Sequence, residues 1–293
     1  MRLQYLYSYC LFVIYLILWV GDEPAAQNAV KDCATCHPSI ADEWRDSLHA
    51  DSYTSPVFLA DKRIRWSEEE SCGCHGPERL APAYLGKTPP ARTHSLESGV
   101  DCLACHFDSD MVAWSSGETK YVPHWTREAE IYSTGKFCSG CHTWARELDA
   151  DCSGCHMPPV SGPAADGPHL EEAPEATHRS HRWAGSRDAE TVRSAVVMAS
   201  VESSEQLAVE VTNLVQDHKF PASDHRYAVI VVIGKNADEV LSEDAVKVPP
   251  GSTSRILLSA TDLGKAASIE LRFYPSRATW PERYYVIEHL ELP

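Results

Sequence analysis

The sequence predicts two folds in succession: short helices and loops packed around prosthetic groups, then an all-β antiparallel sandwich. Three observations predict it. Of eleven cysteines, ten fall between Cys33 and Cys155, and none follows in the remaining 138 of the 293 residues. Four pairs in that stretch spell Cys-x-x-Cys-His, and long apolar runs are scarce around them. From about residue 188 short runs of alternating apolar and polar residues take over, separated by turn residues.

The first element is a targeting segment, residues 1–26. No charged side chain occurs from Leu3 to Val20, Arg2 precedes the run, and small residues follow it around Ala25 and Ala26. This is the order of a secretory signal. The rival reading is an uncleaved membrane anchor, because an apolar run of this length also just spans a bilayer. Both readings export the rest of the chain, to the periplasm or the cell surface. Cys10 lies inside the apolar run and leaves with a cleaved signal.

The second element, residues 27–187, is organised by the cysteine pairs. The intact copies are Cys33-Cys36-His37, Cys102-Cys105-His106, Cys138-Cys141-His142 and Cys152-Cys155-His156. Two thiols three residues apart on one helical turn reach the two vinyl groups of one haem, and the following imidazole then sits beneath the iron. Disulfides and zinc ribbons place no demand on the residue after each second cysteine. With 14 histidines in 293 residues, a chance histidine falls at a given place about one time in twenty. Its recurrence after every pair therefore points to c-type haem. A thioredoxin-like pair occurs once, beside a βαβ pattern, and no such pattern is visible here.

A fifth copy is shortened. In SCGCHGP, Ser71 stands where the first thiol belongs, and Cys74 and His75 keep their places. One thioether from Cys74 with His75 on the iron still holds a haem; the alternative is a relic with Cys72 and Cys74 free or oxidised. The expected cofactor is therefore haem c with its iron, five groups with a minimum of four.

Each iron needs a second axial ligand. Methionine occurs only at Met1, Met111, Met157 and Met198, whereas nine histidines lie outside the motifs. That balance favours iron between two histidines, without the potential-raising methionine ligand. His49, His94, His124, His181 and His218 are the distal candidates. His178 is close enough to His181 to exchange roles with it, and His225 and His289 read as structural.

At these residues the chain resembles the multihaem c-type cytochromes related to the nitrifier tetrahaem carrier and to hydroxylamine oxidoreductase. CATCHPSIADEWRDSLHADSY is similar to the opening of that family, in which Trp, then Ser-x-His, follow the first motif; the matching residues are Trp44, Ser47 and His49. GVDCLACH, FCSGCH and DCSGCHMP are similar to its later haem segments. SHRWAGSRD resembles its distal His-Arg-aromatic segment and nominates His181. VTNLVQDHKFPASDHR is similar to its Asn…Gly-His-x-Phe-Pro-Thr-Gly…Arg signature and nominates His218, with Asp217 and Ala222-Ser223 in place of Gly and Thr-Gly. The resemblance covers most of residues 30–230. It implies a multihaem cytochrome c domain of short helices and loops around stacked haems. The Pro-, Gly- and acid-rich residues 158–177 read as a surface loop within it.

The third element, residues 188–293, is the sandwich. AVVMASV, QLAVEVTN, HRYAVIVVIG, SRILLSA, SIELRFYP and RYYVIEHLEL read as strands, and GKNADE, PPGST and TDLGK as turns. If His218 is a ligand, a loop of this domain closes a haem site.

The formal net charge of −16 argues against nucleic acid and suits a solvated acidic surface or a basic partner. The function expected is electron carriage between redox proteins, such as quinol-oxidising membrane proteins and terminal reductases, with no catalytic residues assigned. The alternatives are an oxidoreductase acting on a small nitrogen or sulfur compound, which needs an open iron position, and a self-assembling surface haem wire.

Overall fold

A computed structural model describes residues 32–65, 72–81, 87–116, 124–146, 148, 150–166, 177–203, 206–224, 226–236, 239–259, 264–276 and 284–292. The targeting segment, Ser71 and His225 lie outside the described residues, as does the side chain of Cys72. Among the described residues no helix is long and apolar enough to cross a membrane.

The cysteine-rich region is built of short pieces: α1 (Pro38–Arg45), α2 (Pro56–Arg65), α3 (Cys72–His75), α4 (Cys102–His106) and α5 (Cys152–His156). Three of them are the attachment motifs themselves, and a helical turn at residues 32–36 carries a fourth. The reason is local. Asp101 and Asp151 stand one residue before the first cysteine, and each accepts a hydrogen bond from the backbone N–H three residues on, of Ala104 and Gly154. Each thus caps a helix one turn long, satisfying a donor that the helix itself cannot. In the copy at 138–142, Phe137 takes that place without a side-chain cap, and the turn over Cys138–Gly140 is a 3-10 helix.

Short strands join these turns: β1 (Ala113–Ser115) pairs in parallel with β2 (Thr126–Glu128), and β3 (Pro159–Ser161) pairs antiparallel with β4 (Thr177–Arg179). The loop expected over residues 158–177 therefore begins and ends on a paired strand.

After α6 (Ala189–Ser194), capped by Asp188, the described elements are all strands: β5 (Val196–Ser203), β6 (Gln206–Asn213), β7 (Tyr227–Gly234), β8 (Val240–Ala245), β9 (Thr253–Leu257), β10 (Ala266–Tyr274) and β11 (Tyr285–Glu291). They form a three-stranded sheet in the order β5-β6-β9 and a four-stranded sheet in the order β11-β10-β7-β8, with every neighbouring pair antiparallel. Period-two alternation aims Val196, Met198, Val209 and Val211 of one sheet and Ile230, Val232, Ile269 and Leu271 of the other into a single hydrophobic core. Each such side chain contributes about 1.5–3 kcal/mol by leaving water.

β7 is buried on both faces. Val229 and Val231 meet Tyr274 in a second, smaller cluster on its outer side. That explains why YAVIVVIG reads as an unbroken apolar run. β8 is the strand the sequence pattern passes over: VLSEDA lies at a sheet edge, largely exposed, where solvent satisfies one side and few apolar residues are needed.

Candidate haem sites

The histidine of each attachment motif must present Nε2 to the iron, so Nδ1 has to carry the proton and find an acceptor. Four of the five do this with a backbone carbonyl. Nδ1 of His37 meets the oxygen of Ala164 at 2.6 Å, His75 that of Ser52 at 2.7 Å, His106 that of Trp114 at 3.0 Å and His156 that of Ala184 at 2.7 Å. The carbonyls come from outside each motif, three from loops and that of Trp114 from β1, so tertiary structure fixes the ring orientation.

The distal histidines are then found opposite. His37 faces His124 with ring centres 6.1 Å apart, His106 faces His181 at 6.0 Å, His142 faces His49 at 6.2 Å, and His156 faces His218 at 6.5 Å. Imidazole nitrogens bind a metal at about 2 Å. Each nitrogen lies about 1 Å from its ring centre, so two axial imidazoles on one metal need centres about 6 Å apart. Four separations of this size, each joining a motif histidine to one from elsewhere, fit iron held on both sides.

The segments carrying the distal rings are pinned. Trp44 is buried in α1 and donates its Nε1–H to the oxygen of Val100 at 2.8 Å, fastening the first motif's helix to the approach of the third. Ser47 Oγ accepts from the backbone N–H of His49 at 3.2 Å, and the oxygen of His49 accepts from Val100 N–H and Ser52 Oγ. Gly99 is needed beside it: at φ +61°, a Cβ here would lie 2.4 Å from the oxygen of His49. His218 stands on the loop between β6 and β7, where buried Asn213 donates Nδ2–H to its carbonyl at 2.9 Å. The β-rich region thus supplies one ring to a pair whose partner, His156, sits in α5.

His178 and His181 are not interchangeable in the structure. His178 is buried, its Nδ1 lies 3.3 Å from the oxygen of Gly162, and its Nε2 is 3.6 Å from Glu43; His181 is the ring that faces His106. His94 is exposed and contacts Thr93 Oγ1 at 3.3 Å, and the structure brings it to none of the motif histidines. His289 lies on β11 between Glu270 and Glu291, which raise its pKa. The shortened copy differs in its company: Phe58 stacks on His75 with ring centres 3.9 Å apart.

Sequence reasoning missed the aromatic rings between the pairs. Trp183 touches both His49 and His181, at 4.5 and 5.1 Å, and Trp144 touches both His142 and His218, at 6.4 and 5.8 Å. The proximity of Trp183 to His181 in sequence was the available signal.

The motifs are also neighbours. Side-chain contacts join Cys33 to Cys102, Cys74 to Cys141 and Cys138 to Cys152, and no disulfide joins the described cysteines. The first motif therefore adjoins the third, the second the fourth, and the fourth the fifth.

Burial holds the rings in the neutral form that a metal ligand requires. It is the leading cause in lowering the pKa of His49 to about 3 and of His142 and His181 to about 4, and it lowers those of His75, His106, His124 and His218. The surface of His142 is open although protein surrounds it; enclosure, with Arg226 nearby, is what opposes its charging. These groups are depressed below an unfolded value near 6.5, so the stability they contribute is full above that pH and is lost as pH falls toward 4 and 3. Low-spin iron at the His49–His142 and His106–His181 sites is expected to persist from neutral pH to about pH 4 and to give way to high-spin iron below it, checked by an acid titration of the Soret band; loss of low-spin iron at every site by about pH 6 would contradict the burial argument.

Residues 32–107 match the Cytochrome c554 and c-prime family. The structure is similar to that of a penta-heme cytochrome c552 from Thermochromatium tepidum, with a TM-score of 0.55 and 15% identity over 89% of this chain and 97% of that one. No curated protein sequence is similar enough to count as a relative. At such low identity the structural likeness is one of fold. Together the two matches support a multihaem c-type cytochrome with an electron-carrying role.

Proposed function

We propose that this chain is an exported electron carrier holding five haem c groups, four of them between paired histidines. The observation that carries the reading is the set of four imidazole pairs with ring centres 6.0 to 6.5 Å apart. Haem supplies reversible one-electron chemistry when bound. The chain's own residues set its terms: carbonyls orient four of the five motif rings, and the opposing rings close the second axial position at four sites.

Closing both positions favours passage of electrons over binding of a substrate. The thiol contacts support a connected order, first to third motif, second to fourth and fourth to fifth. The motifs that resemble the nitrifier tetrahaem carrier support the narrower kinship, residues 27–187 being the haem-packed domain. We place the two sheets of residues 188–293 in an antiparallel sandwich that lends the His218 loop to the last site. Redox proteins on either side of the chain, with a basic docking surface against its charge of −16, are the partners this reading requires.

The test is electron paramagnetic resonance of the oxidised holoprotein together with carbon monoxide binding to the reduced form. Low-spin signals should dominate, and carbon monoxide should leave most of the haem unchanged. A dominant high-spin signal with binding at several irons would replace the carrier by the enzyme.

A further inference from the structure

We propose that the iron site between His49 and His142 is the electron sink of the relay, the first to be reduced. This rests on the reading of paired-histidine haem sites just given. The ground is a difference in what Nδ1 meets. At the pair His106 and His181 both Nδ1 atoms meet backbone carbonyls, of Trp114 at 3.0 Å and Arg179 at 2.7 Å. At His156 and His218 both do so again, with Ala184 at 2.7 Å and Lys219 at 3.1 Å. At His37 and His124 one does, through Ala164.

The pair His49 and His142 is different. Among the described residues Nδ1 of His49 is buried from water and has no hydrogen-bond acceptor, and His142, whose surface is open to solvent, has no backbone carbonyl bonded to its Nδ1 and is left with water. What His49 has instead is Trp183, in an edge-to-face contact at 4.5 Å and an interplanar angle of 72°. An aromatic face accepts an N–H only weakly. Trp183 is held at φ +45°, a conformation few side chains adopt, and the same indole also packs on His181.

Donation from Nδ1–H to a carbonyl makes an imidazole a more basic ligand, which favours ferric iron. One ring with no acceptor, opposite a ring that has only water, favours ferrous iron. The fixed charges act in the same direction. Arg226 is the cation that most affects His142, whereas the carboxylate of Glu43 accepts from the backbone N–H of His181. Asp217 adds a carboxylate at His218, partly offsetting Arg226 there. Reduction of this site takes one electron from a neighbouring ferrous iron, which becomes ferric, and needs no proton or bond change. The thiol contacts place its motif beside both the second and the fifth, so the sink lies at a junction.

The experiment is a reductive titration of the holoprotein followed by electron paramagnetic resonance. His49→Ala identifies the site's low-spin signal by its loss; His124→Ala, His181→Ala and His218→Ala identify the other three, and assignment by elimination serves if His49→Ala does not assemble. In the unsubstituted protein the signal of the His49 site should vanish first. Trp183→Asn offers Nδ1–H an amide acceptor on a residue that tolerates positive φ and should shift that signal to later reduction, while Trp183→Phe, which keeps a π face, should leave the order unchanged. Earlier loss of the His124, His181 or His218 signal, or an order unmoved by Trp183→Asn, would overturn the proposal. Low-spin signals in another order would refute it alone; their absence would refute the paired-histidine reading beneath it.

Discussion

Replacing His218 by alanine is expected to leave every covalent bond between chain and haem intact while converting one iron from low to high spin. His218 contributes no thioether and belongs to no attachment motif. It faces His156 at 6.5 Å from a loop whose shape does not depend on its own side chain: Asn213 holds the carbonyl of residue 218, and backbone bonds in both directions join Phe220 to Val248. The substitution therefore removes a ligand and not a support. The reduced variant should bind about one carbon monoxide per chain beyond the unsubstituted protein, since an open axial position accepts what a closed one excludes. Intact mass should be lower only by the imidazole side chain. An unchanged spectrum, with no added carbon monoxide binding, would return His218 to the surface of the loop.

How far such a site can be read in sequence depends on which interactions build it. Attachment motifs are legible because two thioethers and a proximal ring must come from one helical turn, which fixes spacing in the chain. The pairing of rings is not, because it depends on contacts between distant segments. His49 follows the first motif, yet it faces His142 of the fourth, while His37 of the first faces His124. His94 and His124 look alike in sequence; only the fold separates a ring that meets His37 from one that meets Thr93. Similarly, the strands with buried faces announce themselves by alternation, and β8 does not, because an edge strand facing water carries no such pattern. The acceptors at Nδ1 are backbone carbonyls, which any residue provides, so the sequence leaves no trace of them.

The shortened motif SCGCHGP is expected to carry the fifth haem through Cys74 and His75, by one thioether instead of two. Its surroundings are as specific as those of an intact copy. His75 donates Nδ1–H to the oxygen of Ser52 at 2.7 Å, as His37, His106 and His156 do to theirs, and Ser52 Oγ lies 2.8 Å from the oxygen of His75, sharing its one hydrogen between that oxygen and the oxygen of His49. Gly73, the single residue between the thiols, packs so closely that a Cβ would lie 2.0 Å from the oxygen of Pro89. A motif drifting without function has no reason to keep its histidine in the tautomer that frees Nε2, nor its backbone against Pro89. Cys74 also contacts Cys141 of the fourth motif, so the group it holds lies next to a fully attached neighbour. A haem with one unreacted vinyl is more conjugated, and its reduced pyridine complex should absorb slightly to the red of the other four. Intact mass should correspond to five haems, and Cys74→Ser should lower it by one haem while the four intact motifs stay loaded. A mass of four haems in the unsubstituted protein, with Cys72 and Cys74 both alkylatable or joined to each other, would make the motif a relic.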